Sequence, residues 1–374
     1  MNYDDNALQH DFNRDIWCLH GLPIDNLTLE ETIETIHKRI ESKTKTVLTT
    51  ININLLILSL SDQQFRKSIL LSELCSIDGV PLLWLAQRIG LPLVEVVQGS
   101  TLAEKINQGR HSVSMYFFGG EKATLDKLKE KFSQTQSGIN YAGAKDPGFG
   151  SVKEQSRPKN IDDINDSKPD FVLVALGANK GQKWIMENKY KINAPIISYL
   201  GATIHFLTNT LKRAPENVQK IGLEWVWRIL KEPKLFTRYL FDGLGFIKIL
   251  TNYALASKNL VSEAEVKPYT LIESNGELEI ILASHLTLKN KDEIRDIFIE
   301  SLKKNKTITL NFKQVDYVEN KFLGQLLLMI KYQQLNEKKL TLTNLSHKIH
   351  KYLKTNGIEL SLIALNQPSL QLKE

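Results

Sequence analysis

FVLVALGANKGQKW, residues 171–184, is the stretch of sequence that decides the fold. Its first six residues are apolar and rich in valine and leucine, which is typical of a strand buried on both faces. Gly177 ends this strand, and a helix is predicted to begin near Trp184. A buried strand that ends in glycine and leads into a helix is the repeating unit of a parallel α/β sheet.

The same unit recurs along the first two thirds of the chain. Strands are predicted over residues 46–53, 76–80, 113–118 and 196–200, and helices over residues 63–74, 81–89 and 123–132. Strands that alternate with helices predict an α/β architecture with a Rossmann-like, largely parallel sheet. Ligands of such sheets gather at the carboxyl ends of the strands, so we expect functional residues at that edge.

Composition limits the class of protein. The chain has 374 residues, enough for two domains of roughly 150 residues each. Its apolar content of 42% and charged content of 24% are ordinary for a globular protein. The net charge of +6 favours acidic partners, without choosing between nucleic acid, anionic lipid and nucleotide-sugar. Cys18 and Cys75 form no disulfide or metal pattern, which predicts a reducing cytosol.

The sequence also predicts how the chain meets a membrane. Residues 1–20 are polar and contain acids, which is not the pattern of a signal peptide. No stretch approaches the roughly 20 apolar residues of a spanning helix. Any membrane contact is therefore predicted to be peripheral.

Residues 212–256 form a basic and aromatic segment with helical spacing, called the appendage below. Between residues 212 and 248, eight Lys/Arg stand against four Asp/Glu, a local net charge of +4. Such a segment is typical of a helix on a phospholipid surface or one that grips a lipid diphosphate. Spacing does not decide whether the apolar residues of the appendage contact a bilayer, a core or a subunit interface. These residues are Trp225, Trp227, Phe236, Phe241, Phe246 and Ile247.

Asp78 is the first candidate for chemistry. It follows an apolar run and precedes Gly79, so it is expected on a tight turn at the end of a strand. A carboxylate there can be partly desolvated and act as a general base, although Asp-Gly is also a common turn former. Thr50 and Asn52 end the preceding strand, where their side chains would bind sugar hydroxyls or simply cap the loop.

Glycines and a lysine predict anion binding elsewhere at this edge. Gly119 and Gly120 end a strand before a helix, where backbone amides can meet a phosphate, although a simple turn has the same pattern. Lys180, near a helix start, would neutralise a diphosphate or remain solvated. Asp162, Asp163 and Asp166 lie in a predicted polar loop and are interpreted as solvated residues, not as a metal site.

These motifs resemble the WecG/TagA/CpsF glycosyltransferases, also called glycosyltransferase family 26. Thr50-Ile51-Asn52 and Asp78-Gly79 match the family's Thr-x-Asn and Asp-Gly motifs, and the appendage resembles its closing signature. Family members add an N-acetylmannosamine-type sugar to an undecaprenyl-diphosphate-linked amino sugar. The resemblance therefore implies an inverting transfer from a UDP-sugar, with Asp78 as the base and no metal cofactor.

The resemblance also implies the partners and the binding residues. The acceptor is a polyprenyl-diphosphate-linked glycan on the cytoplasmic face of an anionic membrane, and no nucleic acid is involved. Substrate contacts are implied for residues at the strand ends and in the appendage: Thr50, Asn52, Gly119, Gly120, Gly143, Gly177, Lys180, Gln182, Arg213, Arg228 and Arg238.

The chain departs from the family pattern at several positions. Where the family often shows Arg-x-x-Gly-x-Asp-Leu this chain has Val96 and Thr101, and His205 stands in place of an aspartate. Asn179, Gly181 and Gln182 replace Pro, Gln and Glu around Lys180, and a buried, hydrogen-bonded role is expected for His205. The alternative hypothesis is a catalytically impaired family member that binds lipid-linked glycan and acts as an assembly partner through a STAS-like C-terminal domain, which is described next.

The last third of the chain resembles a STAS domain. A core over residues 1–211 is followed by the appendage, a polar linker over residues 257–268 and this domain over residues 269–374. VDYVENKFLGQLL, residues 315–327, carries the resemblance. Signalling members have a phosphorylated serine where this chain has Glu319-Asn320-Lys321, so that switch is absent. A protein partner or a second copy of the chain is the implied ligand of this domain.

Overall fold

The computed structural model describes residues 5–134, 138–211, 213–215, 217–218, 222–255, 268–274, 276–368 and 370–372. Its largest sheet has six parallel strands in the order β4-β3-β8-β7-β5-β6. These strands are β3 (Thr46–Ile51), β4 (Leu74–Ile77), β5 (Val113–Phe118), β6 (Ile139–Lys145), β7 (Phe171–Val174) and β8 (Ile196–Tyr199). The predicted α/β fold with a parallel, Rossmann-like sheet is confirmed in this part of the chain.

Helices connect the strands and cover the sheet. They are α2 (Leu29–Glu41), α3 (Ile53–Ser61), α4 (Gln63–Leu70), α5 (Val80–Arg88), α6 (Gly99–Gln108), α7 (Lys122–Gln134), α8 (Val152–Gln155), α9 (Pro158–Asp166), α10 (Ala178–Asn188) and α11 (Thr203–Leu207). The strands read as nearly continuous apolar runs because both of their faces are covered. β3, β4 and β7 are buried at every position.

Several local predictions are corrected by the structure. The helix after β7 begins at Ala178, six residues before Trp184, because Gly177 already serves as its N-cap. Asp162, Asp163 and Asp166 lie on α9 and not in a loop, since Ile161 and Ile164 of the same segment are buried. Asp163 pairs with Lys145 at the end of β6, a strand that the sequence reading missed.

The appendage forms two helices joined by a short 3₁₀ turn. They are α12 (Glu224–Lys231) and α13 (Phe236–Ala254), and Lys212 at its predicted start lies outside the described residues. α13 packs on α3 through Gly245, where a Cβ would come within 2.7 Å of Ile57. The Asn54 amide also donates to both carboxylate oxygens of Asp242 at 3.1 Å.

The C-terminal domain has a mixed four-stranded sheet in the order β14-β12-β10-β9, in which β9 is antiparallel. Its elements are β9 (Thr270–Ser274), β10 (Glu277–Ile281), β11 (His285–Leu286), α14 (Lys291–Lys303), β12 (Thr307–Asn311), β13 (Tyr317–Val318), α15 (Asn320–Leu335), β14 (Leu340–Thr343), α16 (His347–Thr355) and α17 (Ile358–Ala364). The sequence predicts a last short strand near Ile363, and this prediction is wrong, because the segment is helical. The predicted linker lies, apart from Pro268, outside the described residues, and the STAS resemblance stays a prediction.

The N-terminal residues pack against this last domain. They comprise α1 (Asp5–Phe12) and a hairpin of β1 (Ile16–Leu19) and β2 (Leu22–Asp25). Leu8, Phe12 and Ile16 belong to the same apolar core as residues of α15. The Asn320 amide accepts from the backbone N–H of Cys18 at 2.9 Å and donates to its carbonyl at 2.8 Å. Both ends of the described chain therefore share one core.

Candidate functional site

Asp78 lies directly after β4, at the carboxyl edge of the parallel sheet. Its backbone N–H donates to the carbonyl of Ile51 in β3 at 2.7 Å, which fixes the start of the turn. Gly79 then adopts a φ of +123°, a conformation that favours glycine, and caps α5. The backbone N–H of Gly99, at the start of α6, hydrogen-bonds to the Asp78 carboxylate. The predicted position of Asp78 on a tight turn is therefore observed.

The surroundings of Asp78 favour its neutral form. Burial is the main cause that raises its pKa, to about 7, and the negative charge of Glu224 acts in the same direction. The positive charges of Arg228 and Arg213 and the Gly99 hydrogen bond oppose this shift. A carboxylate with a pKa near 7 is matched to general-base work at neutral pH.

Arg213 brings the first residues of the appendage against α6. Its guanidinium donates to Thr101 Oγ1 at 3.0 Å and pairs with the Glu104 carboxylate at 3.5 Å. It also lies 5.5 Å from the centre of the Phe206 ring. The hydroxyl of Thr101 thus accepts the hydrogen bond at the position where the resembled motif has an aspartate.

Arg228 and Arg238, one on each appendage helix, both act on Tyr199. Both cations lower the pKa of Tyr199, which burial raises first and the Asp78 charge raises further. Tyr199 is the last residue of β8, so its ring marks the common meeting point of these charges. Arg238 itself is exposed and lies 4.8 Å from the centre of the Tyr239 ring. The charges of Arg213 and Arg228 therefore act on the predicted base, whereas Arg238 acts together with Arg228 on Tyr199.

The appendage sits close to the Asp78 turn. A Cβ on Gly222, whose φ is +75°, would come within 3.2 Å of Val80. On the other side, the Gln98 amide donates to Glu224 Oε2 at 3.1 Å. The turn that carries Asp78 is therefore bordered by the appendage and by the loop before α6.

Thr50 and Asn52 occupy the neighbouring strand end. Thr50 is buried in β3 and lies beside Ser76 of β4 in the sheet register. Asn52 caps α3, because its Oδ1 accepts from the backbone N–H of Leu55 at 3.0 Å. Its Nδ2 has no hydrogen-bond partner among the described residues. Capping, one of the two roles expected for Asn52, is observed.

The three glycines predicted near the nucleotide are closely packed. A Cβ at Gly119 would lie 2.7 Å from the carbonyl of Ala175, and one at Gly120 would lie 2.5 Å from Ile204. Gly143 lies beside the Tyr116 ring, at an irregularity in the β5–β6 register. Close packing of backbone explains the absence of side chains at these positions, whether or not a phosphate approaches.

The loop after β7 separates into an open part and an anchored part. At Gly177 an added Cβ would meet nothing within 4 Å, so the start of α10 is open. Lys180 donates to the Gly150 carbonyl at 2.8 Å. Gln182 is buried, and its amide donates to Thr49 Oγ1 at 2.8 Å, so a sugar would contact it only after this bond opened. Asn179 donates to Asp62 at 3.0 Å.

An open cleft of about 540 Å³ runs along α6 and α11, within the size range of small-molecule sites. Its lining includes Ser100, Glu104, Asn107, Lys131, Phe206 and Arg213. His205 of α11 is partly exposed and hydrogen-bonds through Nδ1 to Thr210 at 3.3 Å, so the expected burial is wrong and the expected hydrogen bond is observed. Arg213 lies on the cleft wall, and its positive charge also lowers the pKa of Asp78.

Sequence reasoning missed three residues of this site. Gln98 and Glu224 lie within segments that resemble family motifs and Tyr199 lies in a predicted strand, but the sequence predicts no role for any of the three side chains. Their positions at a strand end or a helix start were the available signal. In the described part of the chain, no group of three or more His, Cys, Asp and Glu residues is arranged to hold a metal ion.

Comparison with known proteins identifies the family. The model of the glycosyl transferase WecG/TagA/CpsF family matches residues 17–260, which include the parallel sheet, Asp78 and the appendage. The chain belongs to the WecG/TagA/CpsF family of glycosyltransferases.

Similar proteins carry the name N-acetylglucosaminyldiphosphoundecaprenol N-acetyl-beta-D-mannosaminyltransferase. One, from Bacillus spizizenii, is 29% identical over 44% of this chain, and the match spans 62% of that protein. The proteins from Bacillus subtilis strain 168 and Staphylococcus aureus strain MW2 are 23% and 22% identical over 59% and 58% of this chain, covering 86% and 85% of their own lengths.

Proposed function

We propose that this chain transfers an N-acetylmannosamine-type sugar from a UDP-sugar to a polyprenyl-diphosphate-linked amino sugar, with inversion at the anomeric carbon. The names of the similar proteins support the acceptor and the transferred sugar. The observation that supports this proposal most directly is the carboxylate of Asp78, whose pKa is about 7 and on which the charges of Arg213 and Arg228 of the appendage act. An acid and its neighbouring cations are the groups that such a transfer requires.

In the proposed reaction Asp78 takes the proton from the acceptor hydroxyl. The freed oxygen attacks the anomeric carbon of the donor, and the bond from that carbon to the UDP oxygen breaks. Arg213, Arg228 and Arg238 neutralise the diphosphate of the leaving UDP or of the lipid. Thr50 and the free Nδ2 of Asn52 orient the sugars at the neighbouring strand end.

Three of the positions that depart from the family pattern, Asn179, Thr101 and Gly181, are compatible with retained activity. Asn179 is held by Asp62, and Thr101 accepts the hydrogen bond of Arg213. A Cβ at Gly181 would come within 2.5 Å of the Tyr199 ring, so glycine permits this packing beside the site. These substitutions are accommodated by contacts of this chain, and none of them removes Asp78.

One observation favours the alternative, a partner that binds lipid-linked glycan without turnover. The donor-side groups Lys180 and Gln182 are engaged by Gly150 and Thr49. Titration of UDP-N-acetylmannosamine by calorimetry, followed by a search for UDP release with acceptor, separates the two. Binding without turnover of any amino-sugar donor supports the partner hypothesis.

We also propose that the appendage lies on an anionic membrane at the cytoplasmic face. In the part of the chain that the structure describes, no helix has the length and apolar character to cross a bilayer. One face of α13 is exposed and apolar, with Phe241, Leu244 and Ile247 between 56% and 66% exposed. Lys234, Arg238 and Lys248 are exposed on the same segment. Phe246, in contrast, is buried against the core.

The decisive experiment is transfer of radiolabelled sugar to a synthetic lipid-diphosphate acceptor. Asp78→Asn is expected to lower kcat by roughly 10²–10⁴-fold, the usual contribution of a general base. Asp166→Asn, which changes an exposed carboxylate of α9, is the matched control and is expected to keep the wild-type rate. A wild-type rate in Asp78→Asn removes Asp78 from the mechanism.

A further inference from the structure

Four buried charges connect the C-terminal domain with the parallel sheet. Lys331 of α15 donates to Asp11 at 3.1 Å, and Arg14 donates to the other oxygen of Asp11 at 3.1 Å. Arg14 also makes a bidentate ion pair with Asp25, in which its Nε donates to Oδ1 at 2.8 Å and its Nη2 donates to Oδ2 at 2.7 Å. These four side chains, called the buried relay below, are only 3–8% exposed.

The buried relay ends on strand β4. Asp25 Oδ2 accepts from the backbone N–H of Cys75 at 2.7 Å, three residues before Asp78. At the other end, Lys331 also donates to the carbonyl of Ser72 at 3.2 Å, two residues before β4 begins. The C-terminal domain therefore holds the segment before Asp78 in two ways. Lys331 hydrogen-bonds to Ser72 directly, and Asp25, at the other end of the relay, hydrogen-bonds to Cys75.

The four charged side chains of the buried relay are stable only in a fixed arrangement. Two carboxylates and two cations balance in charge, and each carboxylate is hydrogen-bonded by an arginine or lysine. Burial opposes the charge of Asp11, but Lys331 and Arg14 lower its pKa well below the usual range. Removing one member leaves a net buried charge, which the surrounding structure must move to accommodate.

Other contacts across the same interface do not reach β4 in this way. Lys321 of α15 pairs with Asp15, whose carboxylate also accepts from Trp17 and Asn26. Asp15 is half exposed, so this pair tolerates water. Lys321 therefore offers a control on the same helix and the same interface.

We infer that the members of the buried relay are positioning residues through which the C-terminal domain holds β4 and the Asp78 turn in place for the reaction. This inference rests on the proposed role of Asp78. In this inference the C-terminal domain is a functional part of the enzyme, because its helix α15 holds the site in position.

The test uses the full chain with Lys331→Met and Lys321→Met as a matched pair. Asp78 is followed by carbon NMR of protein labelled at the aspartate carboxyl carbon, with Asp78→Asn to assign its signal. Lys331→Met is expected to move the Asp78 titration by at least half a pH unit and to lower kcat about threefold or more, since one pH unit is equivalent to a tenfold change. Lys321→Met is expected to leave the titration in place and kcat within twofold.

A milder variant covers the case in which Lys331→Met does not fold. Tyr332→Phe removes only the hydroxyl that donates to Asp11 at 3.1 Å and keeps every charge of the relay. It is expected to move the Asp78 titration in the same direction by a smaller amount. A double variant with Asp11→Asn and Lys331→Met removes one charge of each sign. If it restores the wild-type titration of Asp78, it supports the relay further.

Two results would overturn the inference. One is a folded Lys331→Met variant with an unmoved Asp78 titration and wild-type kcat. The other is an equal change in Lys331→Met and Lys321→Met, which would assign the effect to general loosening of the interface. Full activity in Asp78→Asn would instead overturn the proposed function, and the NMR titration would still decide the relay.

Discussion

The carboxylate of Glu224 accepts a hydrogen bond from the Gln98 amide at 3.1 Å. This contact joins the first turn of α12 to the residue that precedes Gly99, whose backbone amide hydrogen-bonds to Asp78. The appendage thus places a negative charge near the proposed base as well as positive ones. The pKa of Asp78 is the balance of these opposing charges and of burial.

Glu224 and Arg228 should shift the pH dependence of transfer in opposite directions. Glu224→Gln removes a charge that raises the pKa of Asp78, so the acidic limb of the rate profile is expected at lower pH than in the wild type. Arg228→Gln removes a charge that lowers this pKa, so its limb is expected at higher pH. The pH dependence of kcat/KM measures both. Glu187→Gln, on the exposed face of α10, is the control. A shift of the acidic limb in the same direction by Glu224→Gln and Arg228→Gln would contradict the assignment.

Asp78 should also lower stability at higher pH. Its folded pKa of about 7 lies above its ordinary value of 3.8, so the folded state holds a proton that the unfolded state releases. This contribution to stability is present below pH 4 and is lost as the pH rises to about 7. Asp78→Asn cannot ionise, so its urea midpoint relative to the wild type is expected to rise between pH 5 and pH 8. A constant difference across this range would mean that Asp78 titrates normally in the folded protein.

Five of the six strands of the parallel sheet and the Asp78 turn could be predicted because they depend on local sequence, whereas β6 was missed. Each buried strand is an apolar run closed by a turn residue, and Asp78-Gly79 follows such a run directly. The buried relay could not be predicted, because Lys331 and Arg14 read as surface charges in any local window. Lys331 pairs with Asp11, 320 positions away, and Arg14 pairs with Asp25, 11 positions away on the second strand of the N-terminal hairpin. The same holds for Glu224 and Tyr199, which become site residues only when the appendage folds back.

Gly324 should be needed for the fit between α15 and β1. A Cβ at this position would lie 2.2 Å from the backbone carbonyl oxygen of Ile16, so Gly324→Ala requires the two elements to separate. The expected loss is about 1–3 kcal/mol of the free energy of unfolding, as for other overpacked sites. Gly243→Ala is the matched control, because its Cβ would meet nothing within 4 Å on α13.

That control should be neutral or stabilising by up to about 1 kcal/mol, since alanine favours helix over glycine. Urea unfolding of both variants at one pH gives the comparison. Equal stability of the two variants would show that α15 and β1 are less closely packed in solution.

The exposed face of α13 should bind anionic vesicles. Phe241→Ser combined with Leu244→Ser is expected to reduce the bound fraction at least tenfold, because burial of each side chain in lipid is worth about 1.5–3 kcal/mol. Added salt should weaken binding of the wild type, since Lys234 and Arg238 contribute by charge. Co-sedimentation with vesicles containing phosphatidylglycerol measures this.

The vesicle experiment has a matched control in β9. Leu271→Ser combined with Ile272→Ser also removes two exposed apolar side chains, 45% and 48% exposed, from the C-terminal domain. This pair is expected to leave vesicle binding unchanged. Equal losses in the two double variants would assign binding to general surface hydrophobicity and not to the appendage.

The core shared by α1, β1 and α15 has a consequence for how the chain matures. Cys18 and its partner Asn320 are 302 positions apart, so the ribosome must add those positions before this contact can form. Until then Phe12 and Ile16 have no cover from α15, and a growing chain with open apolar surface is prone to aggregate. We expect the N-terminal hairpin to be a binding site for chaperones during synthesis, released once the final domain closes over it.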